Sequence, residues 1–224
     1  MRPEAWHLRG LYAITPERHD TEALLAAAEA CLAGGAAMLQ YRAKSLPPGT
    51  MLAQARRLRQ ACAARGVPFI VNDSVALALA TGADGVHVGR EDGGVREARI
   101  AMPHGIVGAS CHDDAELARA AARDGADYVA IGSVFPSTTK PSAPRAALEA
   151  IGLARAASGL PVVAIGGITL RNVGEVIAAG ADLAAVIAAI FDSPDPREAA
   201  RAFRDAFATT PPKGPDAGQQ PQPL

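Results

Sequence analysis

Short apolar runs recur at even intervals along the chain: Leu11–Thr15, Met38–Arg42, Phe69–Asp73, Gly85–Gly89, Ile106–Cys111, Tyr128–Val134, Pro161–Gly166 and Leu183–Ile190. Most contain β-branched residues and their alternation is blurred, as in parallel strands buried on both faces. Between them lie Ala- and Arg-rich stretches of helical character: Thr21–Leu32, Thr50–Arg65, Val75–Ala80, Gly94–Ala101, Asp113–Arg123, Arg145–Ala157, Leu170–Ala179 and Pro196–Phe207. Asp20–Thr21, Asp73–Ser74 and Thr169 offer N-caps. Gly-Ala-Asp recurs at 82–84, 125–127 and 180–182, each time between a helix and a strand, and Gly34-Gly35-Ala36 has a similar place. A left-handed helix C-cap selects glycine there. Eight strands alternating with helices over about 200 residues fit a closed (β/α)8 barrel or an open doubly wound sheet. No G-x-G-x-x-G follows the first strand, and polar residues follow nearly every strand. We therefore expect an α/β fold, a single-domain (β/α)8 TIM barrel over residues 1–208. The tail 209–224, rich in Pro and Gln, has no apolar period and is expected to be disordered.

Composition narrows the setting. Of 224 residues 49% are hydrophobic, enough for one sizeable core. Lys+Arg (22) against Asp+Glu (23) leaves a net charge of −1, so no basic field points to nucleic acid or a membrane surface. Three cysteines without C-x-x-C spacing argue against a disulfide framework or zinc cluster and for a reducing cytoplasm. The N-terminus has no apolar signal region, and no run of about 18 apolar residues could span a bilayer.

In a barrel of this kind the chemistry sits at the C-terminal strand ends. Strand two ends Gln40-Tyr41-Arg42-Ala43-Lys44, and alternation puts Gln40, Arg42 and Lys44 on one face. Two cations on an inward face are costly unless they meet an anion. Strand three ends in Asn72-Asp73, and strand four carries His87 between Gly85 and Gly89, then Arg90-Glu91-Asp92. Asp73 and Asp92 close adjacent strands, and Mg²⁺ is commonly held by one or two carboxylates plus substrate phosphates. His87 has room beside it for a substrate, although a satisfied core imidazole reads equally well. Strand five ends Ala109-Ser110-Cys111-His112, and Ser137-Thr138-Thr139-Lys140 follow strand six, supplying the hydroxyls and ammonium that bind phosphate. Gly166-Gly167, placed just before a helix, let backbone approach a phosphate, with the amides of Ile187 and Ala188 completing the cradle. Two anion sites result. Arg42, Lys44, Lys140 and a metal on Asp73 and Asp92 suit a diphosphate; Gly167 and the strand-eight amides suit a monophosphate. The residues alone thus indicate metal-assisted transfer between phosphorylated substrates.

The chain also resembles the thiamine phosphate synthase family from about Gly10 to Phe207. The resemblance rests on LYAIT at 11–15, LQYRAK at 39–44, VNDSVALA at 71–78, GADGVHVGRED at 82–92, GASCH at 108–112, DYVAIGSVFPSTTKP at 127–141 and PVVAIGGIT at 161–169. It implies a (β/α)8 barrel that joins hydroxymethylpyrimidine diphosphate to thiazole phosphate, releasing diphosphate. It further implies that Gln40, Arg42, Lys44 and Asn72 contact the diphosphate region, that Ser110 and Lys140 also hold the diphosphate, and that Asp73 and Asp92 bind Mg²⁺. Thr139, Gly167 and the Ile187–Ala188 backbone would hold the thiazole phosphate. The implied chemistry is dissociative: the C–O bond to diphosphate breaks before the thiazole nitrogen attacks. Arg90, Ser137 and Ala188 depart from common family residues, and none removes a group the mechanism depends on. The alternatives are a thiazole tautomerase-like barrel, with His112 as proton shuttle, and a non-catalytic phosphate-binding barrel. Retention of both aspartates and the Thr139-Lys140 loop disfavours both.

Overall fold

Every apolar run becomes a strand: β1 (Gly10–Ile14), β2 (Met38–Tyr41), β3 (Phe69–Asn72), β4 (Gly85–Val88), β5 (Ile106–His112), β6 (Tyr128–Ile131), β7 (Val162–Ile165) and β8 (Leu183–Val186). The structure is a computed structural model and describes residues 9–89, 93–137 and 144–210. All neighbouring strands pair in parallel, and β8 returns to β1 in the register Gly10↔Leu183, closing the barrel. The helices are α1 (Thr21–Gly34), α2 (Pro48–Ala63), α3 (Val75–Thr81), α4 (Gly94–Ala101), α5 (Ala115–Asp124), α6 (Glu149–Ser158), α7 (Val173–Ala178), α8 (Ala188–Phe191) and α9 (Pro196–Thr209). The expected single-domain (β/α)8 barrel is the observed fold.

Alternation divides the core in two. One set of side chains, including Tyr12, Met38, Ile70, Tyr128, Val163 and Leu183, fills the barrel interior. The other, including Leu11, Leu39, Phe69, Val129 and Ala184, packs outward against the helices. The central filling is set by size complementarity. A Cβ on Gly108 would lie 2.0 Å from Tyr128 Cζ, so glycine at 108 is what lets the Tyr128 ring cross the interior.

Element boundaries differ from expectation where local chemistry intervenes. Strand six stops at Ile131, not Val134, and strand eight at Val186, not Ile190. Ile187 leaves extended geometry (φ −113°, ψ −82°) and two alanines then wind into α8. The helix expected from Arg145 begins at Glu149. The helix expected from Leu170 begins at Val173, and Thr169 is not its cap. Asn172 instead holds the preceding turn, accepting from Thr169 N and donating to Gly167 O. Helix α2 starts two residues early because Pro48 suits a first helical turn, where an N–H has no intrahelical partner anyway. Asp20 and Ser74 do cap α1 and α3. Helix α9 runs to Thr209, one residue into the expected tail; residues 211–224 lie outside the described set.

The Gly-Ala-Asp repeat proves to be a structural clasp at the N-terminal end of the barrel. Asp84 Oδ2 accepts from Phe69 N at 2.8 Å, and its other oxygen pairs with Arg59, which also donates to Gly82 O. Asp127 binds Val107 N and Arg99 in the same way but through one oxygen, Oδ2, and Arg99 reaches Gly125 O. Asp182 Oδ2 likewise takes both Val162 N and Arg155, which reaches Gly180 O. Each clasp locks one strand–helix–strand unit at the end remote from the chemistry, where barrels place stability.

Candidate active site at the strand ends

At the opposite end, β1, β2 and β3 bring a set of polar groups together. Thr15, fully buried, accepts from Arg42 N at 3.0 Å. The Glu17 carboxylate accepts from Lys44 N (2.9 Å), Ser45 N (3.0 Å) and the Ser45 hydroxyl, which fixes the turn after β2. The Ser45 hydroxyl bond, followed by that from Lys44 N–H, holds the Glu17 carboxyl below its ordinary range. The turn delivers Lys44 Nζ to within 3.2 Å of Asp73 Oδ2. Asp73 itself has φ +63°, a left-handed conformation that aspartate tolerates better than most residues. Its N–H donates to His87 O at 2.8 Å, anchoring the end of β3 to β4. Capping of α3 falls to Ser74, so Asp73 is left to face the mouth. Lys44, Asn72, Asp73 and Ser74 line a cavity of about 280 Å³ together with Tyr41 and Met51.

The expected common face of Gln40, Arg42 and Lys44 does not form. Strand β2 ends at Tyr41, so alternation directs only Gln40 inward, and the turn held by Glu17 sets Arg42 and Lys44. Arg42 is half-buried, and its positive charge acts on Glu17. Gln40 is buried deeper, inside the barrel, where its Nε2 donates to Tyr12 Oη at 2.7 Å. From there a connected series of polar groups crosses the interior. Tyr12 Oη and Tyr128 Oη lie 2.8 Å apart, Tyr128 Oη and His87 Nδ1 2.9 Å, and His87 Nε2 and Ser110 Oγ 2.9 Å. The His87 ring stacks on Tyr128 with an interplanar angle of 23°. His87 is therefore both a satisfied interior imidazole and a direct neighbour of Ser110.

On the far side of the mouth, Val134 N donates to Ile165 O and Phe135 N to Gly166 O, seating the loop after β6 on the end of β7. A Cβ on Gly167 would meet Pro136 O at 2.2 Å, and its φ is +62°, so this glycine is required by close packing and backbone conformation. Contrary to expectation, Gly167 does not open a helix; the Asn172-held turn separates it from α7. Its N–H, like that of Ile187, has no partner among the described residues. Ala188 begins α8, where the first N–H groups are free of intrahelical bonds. Ser137 is half-buried and engaged. Asp92, Thr139, Lys140 and Arg90 lie outside the described residues.

Asp73 is a half-exposed hard oxygen donor whose Oδ1 has no hydrogen-bond partner among the described residues, which fits a Mg²⁺ ligand. Among the described residues no cluster of three or more His, Cys, Asp or Glu could hold a metal. Cys111, singled out by its position in β5, is buried, and burial pushes its thiol up to about 12, as it does those of Cys31 and Cys62. None of the three is a thiolate nucleophile near neutral pH. Sequence reasoning missed Tyr12, Thr15, Glu17 and Tyr128. The tyrosines carried one signal, a phenol at an inward position of an apolar run; Glu17 carried none, because its role depends on a turn 27 residues away.

Comparison with known proteins follows the same lines. The family model for thiamine monophosphate synthase matches residues 11–190. Thiamine-phosphate synthase of Aromatoleum aromaticum is 53% identical over 201 residues, covering 89% of this chain and 97% of that protein. The thiamine-phosphate synthase of Thiobacillus denitrificans is 53% identical over 203 residues, covering 90% and 96%. Among solved structures, thiamine phosphate pyrophosphorylase from Pyrococcus furiosus superposes with a TM-score of 0.81 at 36% identity, covering 90% of this chain and 96% of that one.

Proposed function

The chain belongs to the thiamine monophosphate synthase family and is a transferase, and we propose that it transfers a hydroxymethylpyrimidine group from its diphosphate to the nitrogen of thiazole phosphate, giving thiamine phosphate and diphosphate in a Mg²⁺-dependent reaction. The observation that carries this reading is the convergence of Lys44, Asn72 and Asp73 on one cavity at the strand ends, in a chain so similar to thiamine-phosphate synthases along nearly its whole length.

Binding comes first. Arg42 and Lys44, with Ser110 and Lys140, hold the diphosphate, Gln40 and Asn72 contact the diphosphate region of the same substrate, and His87 contributes to substrate binding beside Ser110. The N–H groups of Gly167, Ile187 and Ala188, with Ser137 and Thr139, hold the thiazole phosphate. Asp73 and Asp92 would hold Mg²⁺, which would supply positive charge to neutralise the diphosphate oxygens. As the C–O bond breaks, negative charge grows on the departing diphosphate, which the cations of Arg42, Lys44 and Lys140 would stabilise. The thiazole nitrogen then attacks the pyrimidine-stabilised cation across a short, pre-set gap. No step requires a strong general base, which agrees with cysteine thiols that stay protonated.

A two-substrate assay scoring thiamine phosphate and released diphosphate tests the proposal. Product is expected only with both substrates and Mg²⁺, and chelation of the metal should abolish it. Absence of thiamine phosphate from folded protein supplied with all three would overturn the reading.

A further inference from the structure

The polar series through the barrel has a direction. Tyr12 is 1% exposed and Tyr128 fully buried, and burial raises the pKa of both phenols, so each keeps its single proton. A buried hydroxyl proton without an acceptor is costly, and native interiors rarely contain one. Gln40 Nε2 can only donate, so Tyr12 Oη accepts from it. Beyond Gln40, the hydroxyl of Tyr128 is the remaining partner of Tyr12 Oη, so the Tyr12 proton points to Tyr128. Tyr128 then has to place its own proton on His87 Nδ1, 2.9 Å away. With Nδ1 an acceptor, a neutral His87 carries its proton on Nε2 and donates to Ser110 Oγ. Ser110, half-buried at the end of the series, keeps a free proton.

We propose that Tyr12, Tyr128 and His87 act as positioning residues, a one-way hydrogen-bond chain that fixes His87 as the Nε2–H tautomer and so turns the Ser110 hydroxyl into a dedicated donor toward the departing diphosphate. The role given to Ser110 rests on the proposed function; the direction of the chain does not. Were the order reversed, Ser110 would donate inward to His87 and could only accept from the mouth, where it would repel an anion. Aligned hydrogen bonds also polarise one another in a low-dielectric interior, which strengthens the terminal donor. Gly108 is part of the device, since any side chain there would displace the Tyr128 ring.

The test uses the whole protein labelled with ¹⁵N-histidine, at mildly alkaline pH, with His87→Asn to assign the resonances. His87 is expected to show a protonated Nε2 and a bare Nδ1. A protonated Nδ1, as a reversed Gln40 amide would impose, overturns the proposal. Tyr128→Phe, which removes one oxygen, should erase the single tautomer and weaken binding of inorganic diphosphate about ten-fold, with thiazole phosphate binding unchanged. An unchanged diphosphate affinity, or an equal loss for both ligands, would overturn the role of Ser110. Failure of the synthase assay together with an Nε2–H tautomer would remove the function reading and leave the chain standing.

Discussion

Glu17 shows how much of the site rests on a residue with no direct chemistry of its own. Its carboxylate gathers three donors from the turn after β2, and that turn alone places Lys44 beside Asp73. Because its folded pKa is depressed, its contribution is present above the ordinary carboxylate range and is lost as pH falls through the lowered value. At neutral pH the turn is therefore fully held. Glu17→Gln keeps one acceptor oxygen and loses the charge. Given the solvent exposure of the site, the KM for the pyrimidine diphosphate should rise only about five-fold. Steady-state kinetics with each substrate varied in turn checks this, and the KM for thiazole phosphate should not move. A wild-type value for both would remove Glu17 from the account.

Among the elements, α9 does most to finish the barrel, since it packs across α1 where the chain would otherwise leave an apolar gap. The crossing is close because Gly34 has no side chain: a Cβ there would lie 2.3 Å from Arg197 O and 2.7 Å from Ala200 Cβ. Two effects oppose each other in Gly34→Ala. Helix propensity favours alanine by about 1 kcal/mol. Overpacking against a backbone carbonyl costs about 1–3 kcal/mol, because main chain cannot rotate away as a side chain can. The clash should win, and denaturant titration should show a net loss of about 1 kcal/mol. A stabilised variant would mean that α9 slides freely on α1.

For the whole molecule, the three clasps imply a fourth place where one is missing. Gly35-Ala36-Ala37 aligns with the Gly-Ala-Asp units, and the side chain of Arg204 lies over Gly35 much as Arg99 lies over Gly125. Position 37 has no carboxylate to accept from Leu11 N as Asp127 does from Val107 N, and Arg204 turns to Asp205 instead. Asp127→Ala should cost about 2–3 kcal/mol, because it strands a buried Val107 N–H and removes the charge partner of Arg99. For a chain of this size that is a Tm lower by about 5–10 °C. Ala37→Asp should raise Tm by about 2–4 °C, by supplying an acceptor to Leu11 and a partner to Arg204. Thermal unfolding of both variants checks the pair, and activity should follow neither change, since the clasps lie at the far end of the barrel.

What the sequence determined by itself was periodic or local. The even spacing of apolar runs was enough for eight strands, because burial on both faces imposes that composition on every parallel strand. Asp20 and Ser74 were legible as caps because a cap bonds within three residues. The strand-end motifs marked where the site lies, because the topology itself puts every such end at one mouth. Tertiary structure decided the rest. Lys44 meets Asp73 only through a turn held from β1, and Gly167 is fixed by a loop arriving from β6. The Gly-Ala-Asp repeat was visible as a pattern, but its arginines come from other helices, 25 to 28 residues earlier in the chain. The direction of the hydrogen bonds from Gln40 to Ser110 exists only where five strands bring these groups together inside the barrel. Short-range order is written in spacing, whereas the pairing of distant polar groups is set by which of them closure of the barrel forces to share one buried interior.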